Sequence, residues 1–124
     1  MTTDVRSPKI LIVDDDATQC AALAALLSDA GYDTFPASTV PAASEMPRQA
    51  PPDLLITDVR MDGYNGLQLA AMNERGIPVI VLTGFADRAT ELEAERFGAT
   101  FQLKPVSPNE LLQVVASRLA KDED

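Results

Sequence analysis

Three nearly unbroken apolar runs limit what this chain can fold into: Ile10–Val13 (ILIV), Leu54–Thr57 (LLIT) and Ile77–Leu82 (IPVIVL). They are too short for buried helices and rich in β-branched residues, so they read as strands covered on both faces. Weaker strands are predicted at Tyr32–Phe35 and Ala99–Leu103. Helical stretches fill the gaps. Ala17–Ala30 carries Leu23, Leu26, Leu27 and Ala30 at helical spacing and is stopped by Gly31. Val40–Met46 is short and bounded by Pro41 and Pro47, and Gly66–Glu74 is ended by Gly76. Asp87 caps a helix to about Arg96, closed by Gly98. The last helix runs from Pro108 to about Ala120 and is entered through a capping box, Ser107-Pro108-Asn109-Glu110. Five strands and five helices in strict alternation, joined by right-handed crossovers, predict an α/β fold. It is a doubly wound five-stranded parallel sheet in strand order 2-1-3-4-5, flavodoxin-like. With 124 residues there is room for one domain, expected at 9–120 between an N-terminal tail (1–8) and a C-terminal tail (121–124).

Composition narrows the function. A net charge of −9, from 19 acidic residues spread along the chain, opposes contact of this domain with nucleic acid or with anionic membranes. The single cysteine, Cys20, cannot form an internal disulfide, which suits a reducing cytoplasm. Cys20 is expected on a polar flank of the first helix, beside Gln19, as an inert side chain. The absence of histidine excludes a histidine phosphodonor and a histidine-ligated metal. Met1–Pro8 is polar, without an apolar signal segment, and no apolar run is long enough to span a bilayer.

Open parallel sheets bind ligands beyond the carboxyl ends of their strands. There strand one ends in Asp14-Asp15-Asp16, strand three in Asp58, strand four in Thr83-Gly84 and strand five in Lys104-Pro105. Taken singly, such residues are usually turn, cap or loop residues. Together they gather carboxylates, a hydroxyl and an ammonium at one edge. Two unit charges about 4 Å apart interact by roughly 4 kcal/mol at an effective dielectric near 20. A divalent cation removes that repulsion, and an all-oxygen donor set favours a hard one, Mg²⁺. Lysine and threonine beside it can neutralise and bond phosphoryl oxygens, so the set suits phosphoryl transfer to or from an aspartate.

Over Lys9–Leu119 the sequence resembles the receiver domain of bacterial two-component response regulators, the family of the chemotaxis regulator. The resemblance is carried by ILIVDDD, by LLITDVRM with Gly66 and Leu69 after it, by VIVLTG and by FQLKP. It implies that Asp58 accepts a phosphoryl group from a partner histidine kinase or phosphotransfer protein. It further implies Mg²⁺ held by Asp15 directly, by Asp14 through water or by charge, by Asp58, and by the backbone carbonyl of Arg60. Lys104 pairs first with Asp58 and then with the phosphoryl group. Thr83 moves toward that group, Phe101 changes rotamer in response, and a cis peptide at Pro105 aims Lys104. Gly84 is small, as entry of the phosphoryl group needs. The chain departs from the family after Met61, where Asp62-Gly63 stands in place of the usual proline. Bulk at Arg60 and Phe85 is expected to slow hydrolysis of the acyl phosphate, although the plainer reading of Arg60 is a solvated loop charge.

Two other readings stand beside this one. Asp14-Asp15-Asp16-Ala17-Thr18 fits the DxDxT pattern of haloacid-dehalogenase phosphatases, with Asp14 as nucleophile, but no acidic pair follows Lys104 on a further strand. A pseudo-receiver would bind partners without being phosphorylated. The receiver reading makes the chain a phosphoacceptor rather than an enzyme, one that assists its own phosphotransfer and dephosphorylation. Its output, to a target protein or a second copy, is expected through the fourth helix, fifth strand and fifth helix. On the last of these, Leu112, Val115, Ala116 and Leu119 make one apolar stripe, widened by Leu111 and Val114. The protein is either a stand-alone regulator acting by contact, the reading preferred on sequence, or one domain of a longer chain.

Overall fold

The structure, a computed structural model, describes residues 7–14, 16–37, 52–58, 60–61, 64–65, 77–84, 88–96, 98–104 and 106–122. In chain order they form β1 (Lys9–Val13), α1 (Ala17–Asp29), β2 (Asp33–Ala37), β3 (Leu54–Asp58), β4 (Arg60–Met61), β5 (Tyr64–Asn65), β6 (Val79–Thr83), α2 (Arg88–Arg96), β7 (Thr100–Leu103) and α3 (Pro108–Asp122). Five strands make one sheet in the order β2-β1-β3-β6-β7, every pair parallel. Without the short β4–β5 pair, that is the expected order 2-1-3-4-5. The helices expected at Val40–Met46 and Gly66–Glu74 lie outside the described residues.

The apolar runs became the core because both faces of the central strands are covered. Alternate residues Ile10, Ile12, Leu54, Ile56, Ile80 and Leu82 pack with Leu27, Leu111 and Val115 of α1 and α3. Their neighbours on the opposite face, Leu11, Val13, Leu55, Val79 and Val81, are buried as well. The ends of the helices follow from local chemistry. The Asp16 side chain accepts from the N–H groups of Thr18 and Gln19 and caps α1. At its far end Gly31 takes φ +102°, which lets Gly31 and Tyr32 donate back to Ser28 and Leu27. The capping box forms at α3: Glu110 N–H donates to Ser107 Oγ, and Ser107 N–H to Glu110 Oε1.

Several boundaries and faces differ from expectation. β2 starts at Asp33 and continues through Pro36 to Ala37, rather than spanning Tyr32–Phe35. It is an edge strand, where a missing N–H costs no ladder bond. β6 begins after Pro78 and includes Thr83. On α1 the inward stripe is Cys20, Leu23, Ala24 and Leu27, while Ala30 is exposed. Cys20 is therefore a core residue and not on a polar flank. It sits two turns before Leu27 on the same stripe, 4% exposed, with Sγ 3.6 Å from the Ile12 carbonyl. On α3, Leu111 and Val115 are buried, Leu112, Val114 and Leu119 pack at the margin, and Ala116 is exposed. β4 and β5 form a two-stranded antiparallel pair that the sequence reading missed. Asp62-Gly63 between them is a dipeptide preferred in two-residue hairpin loops, and could have signalled it.

Candidate functional site

Strand register alone brings the key carboxylates together. β1 and β3 pair in parallel from Ile10↔Leu54 to Val13↔Thr57, so the next residues, Asp14 and Asp58, come level at the carboxyl edge of the sheet. They continue the alternate positions of Ile10 and Ile12, and of Leu54 and Ile56, that face α1 and α3. β6 pairs with β7 as far as Thr83↔Leu103, which leaves Lys104 as the first residue past that edge.

Lys104 joins the two acids. Its Nζ lies 2.9 Å from Asp58 Oδ2 and 3.3 Å from Asp14 Oδ2. A third acceptor, Gln19 Oε1, lies at 2.6 Å. Asp14 is 3% exposed, and its other oxygen accepts from the backbone N–H of Asp16 at 2.9 Å. Asp58 is more accessible, with 14% of its side chain open. Beneath it the buried Thr57 hydroxyl donates to the Asp58 carbonyl. Burial of Lys104 favours the neutral amine, but the hydrogen bond and charge of Asp58, then those of Asp14, outweigh it and hold the ammonium above the ordinary lysine value. Lys104 thus stays charged throughout the physiological range. Among the described residues one cation faces two acids, which makes a net negative centre of hard oxygen donors.

The expected site residues fall into three groups. Asp14, Asp58 and Lys104 meet. Thr83 ends β6 opposite Leu103, one residue from Lys104; its side chain and that of Arg60 lie outside the described residues, though Arg60 begins β4 just beyond Asp58. Phe101 is half-buried on β7, paired with Val81, and Gly84 is exposed with nothing within 4 Å of where a Cβ would stand. Asp15, Phe85 and Pro105 lie outside the described residues, and among those described no cluster of three acidic or cysteine side chains forms. Gln19 was not anticipated. Its signal was its place three residues after the capping Asp16, on the first turn of the helix that follows the acidic run.

Comparison with known proteins points one way. A family model described as the response regulator receiver domain matches residues 10–116. The DNA-binding response regulator MtrA of Mycobacterium tuberculosis is 31% identical over 124 residues, covering 98% of this chain and 54% of its own length. The chain therefore spans about half of that relative. Among solved structures, a CheY-like response regulator receiver domain protein from Methanospirillum hungatei superposes with TM-score 0.88 at 25% identity, covering 95% of this chain and 98% of that one. The non-phosphorylated HemR receiver domain from Leptospira biflexa gives TM-score 0.83 at 30% identity, with 91% and 94% covered.

Proposed function

The chain belongs to the response regulator receiver domain family of two-component signalling, and on that premise we propose that Asp58 is its phosphoacceptor. The observation that carries this is the Lys104 ammonium bonded to both Asp58 and Asp14 at the carboxyl edge of the sheet. The domain, proposed to span 9–120, is a switch rather than a conventional enzyme. A carboxylate oxygen of Asp58 attacks the phosphorus of a partner kinase's phosphohistidine, or of a small acyl phosphate donor. The bond from phosphorus to the donor breaks as the new P–O bond forms, leaving an aspartyl phosphate. Lys104 exchanges its Asp58 contact for a phosphoryl oxygen and neutralises charge there. Thr83 donates to another oxygen, beside the open Gly84, and Phe101 follows it. Water then hydrolyses the aspartyl phosphate, breaking its P–O bond to release inorganic phosphate and regenerate the Asp58 carboxylate, with Arg60 and Phe85 flanking its path.

The donor chemistry fits Mg²⁺: the acids are oxygen ligands only, and among the described residues a single ammonium faces Asp14 and Asp58. Asp14, Asp15, Asp58 and the Arg60 carbonyl would hold it. When bound it supplies positive charge to the phosphoryl oxygens. The phosphatase alternative makes Asp14 the nucleophile. Asp14 is 3% exposed with both oxygens bonded, which favours the more open Asp58.

The upstream partner is a histidine kinase or phosphotransfer protein. For output we propose the face of α2, β7 and α3, where Leu92 and Leu103 are each 44% exposed. MtrA is named DNA-binding; for this domain, with net charge −9, we propose protein contacts and none with nucleic acid. No described helix is long and apolar enough to cross a membrane, and a cytoplasmic location suits the kinase partner. The two further expected helices, Val40–Met46 and Gly66–Glu74, would serve the crossovers that parallel neighbours need. The reading is tested by intact mass after incubation with acetyl phosphate and Mg²⁺. The parent gains one phosphate and Asp58→Asn none; uptake by Asp58→Asn at the parent rate overturns the assignment.

A further inference from the structure

An ammonium has three N–H donors, and Lys104 has three acceptors around it. Two are the carboxylates of the proposed phosphoryl site. The third and shortest, Gln19 Oε1 at 2.6 Å, comes from the first turn of α1, 85 residues away in sequence. Its availability has a local cause. Asp16 at the N-cap and Gln19 three residues on have the spacing of a capping box, in which the later side chain reaches back to the cap's own N–H. Here that N–H donates to Asp14 Oδ1. The Gln19 amide is thereby released from the helix end and reaches across to Lys104.

We propose that Gln19 is a positioning residue, whose carbonyl holds the Lys104 ammonium so that only its Asp58 contact is traded for a phosphoryl oxygen. This rests on the reading of Asp58 as phosphoacceptor. Lysine is a point charge on a flexible four-carbon stem, and aiming it costs rotamer freedom. Asp14 and Asp58 also hold it, but both are proposed ligands of a divalent cation, so their grip on Lys104 weakens as the cation loads. A neutral amide oxygen stands outside that competition. It also aims the ammonium without cancelling the charge that the phosphoryl oxygens need.

The test compares the full chain with Gln19→Met, Gln19→Glu and Asp58→Asn in saturating Mg²⁺. Two quantities are read: the acetyl phosphate phosphorylation rate, and the protection of the Lys104 ammonium protons from water exchange by ¹⁵N NMR. Gln19→Met, an unbranched helix former without the acceptor, slows phosphorylation about three- to tenfold and loses the protection, while its melting temperature is unchanged. Gln19→Glu keeps an acceptor and restores the protected signal, which a merely structural role would not do. Parent-like behaviour of Gln19→Met in either readout, or no restored protection in Gln19→Glu, overturns the proposal. Should Asp58→Asn itself take up phosphate, the phosphoacceptor reading fails first; should it stay inert while Gln19→Met matches the parent, only this inference fails.

Discussion

The acids and their counter-ion are mounted on unlike supports. β1 and β3 lie inside the sheet, and Ile10, Ile12, Val13, Leu54 and Ile56 are no more than 1% exposed. β7 lies at the edge, none of Thr100–Leu103 is fully buried, and Leu103 is 44% exposed. Asp14 and Asp58 thus extend strands locked by packing on both faces. Lys104 extends a strand with one neighbour and a wet flank. Packed cores do not deform continuously, whereas low-density edges open at small cost. If Asp58 is the acceptor as proposed, it is held fixed, while Lys104, the group proposed to answer a new phosphoryl charge, can shift. The same strand carries Leu103, 44% exposed, on the face proposed for output.

Centre and edge should differ most in their contribution to stability. Ile56→Ala removes a fully buried side chain under Asp58 and should cost about 2–5 kcal/mol. Leu103→Ala should stay within about 0.5 kcal/mol. Urea unfolding of the two variants measures both, and equal losses would erase the distinction between centre and edge.

A smaller effect is expected when the edge group is removed. Lys104→Met withdraws the cation from between Asp14 and Asp58. Phosphorylation by acetyl phosphate should slow roughly ten- to hundredfold, while Mg²⁺ binds more tightly because the acids lose a competing charge. NMR titration follows the binding, since the chain has no tryptophan. Unchanged or weaker Mg²⁺ affinity would mean that the ammonium does not share the acids with the metal.

The smallest effect sharpens the role of α1. Asp16→Ala removes the cap on the helix that carries Gln19 and should cost about 1 kcal/mol by thermal or urea unfolding. No loss would mean that the first turn is held by something other than Asp16.

What the sequence disclosed follows the same division. β1 and β3 were legible because burial on both faces demands unbroken apolar runs, and the parallel register then set Asp14 beside Asp58. The cap at Ser107 was legible because it depends on neighbours a few residues away. The full length of β2 is harder to read, because Pro36 argues against a strand until its place at the sheet edge is known. Cys20 was misplaced because its polar neighbour Gln19 outweighed its seven-residue spacing from Leu27. The place of Gln19 beside the acidic run was legible but its role was not, because that depends on a lysine 85 residues away and on Asp14 taking the N–H that a capping box would use.

Chemical trapping can show whether the phosphoryl group sits on Asp58. After incubation with acetyl phosphate and Mg²⁺, borohydride reduces an aspartyl phosphate to homoserine, and peptide mass spectrometry finds the altered residue. Conversion is expected at Asp58 alone, dependent on Mg²⁺ and absent when the acyl phosphate is omitted. Conversion at Asp14 with Asp58 untouched would contradict it and restore the phosphatase reading.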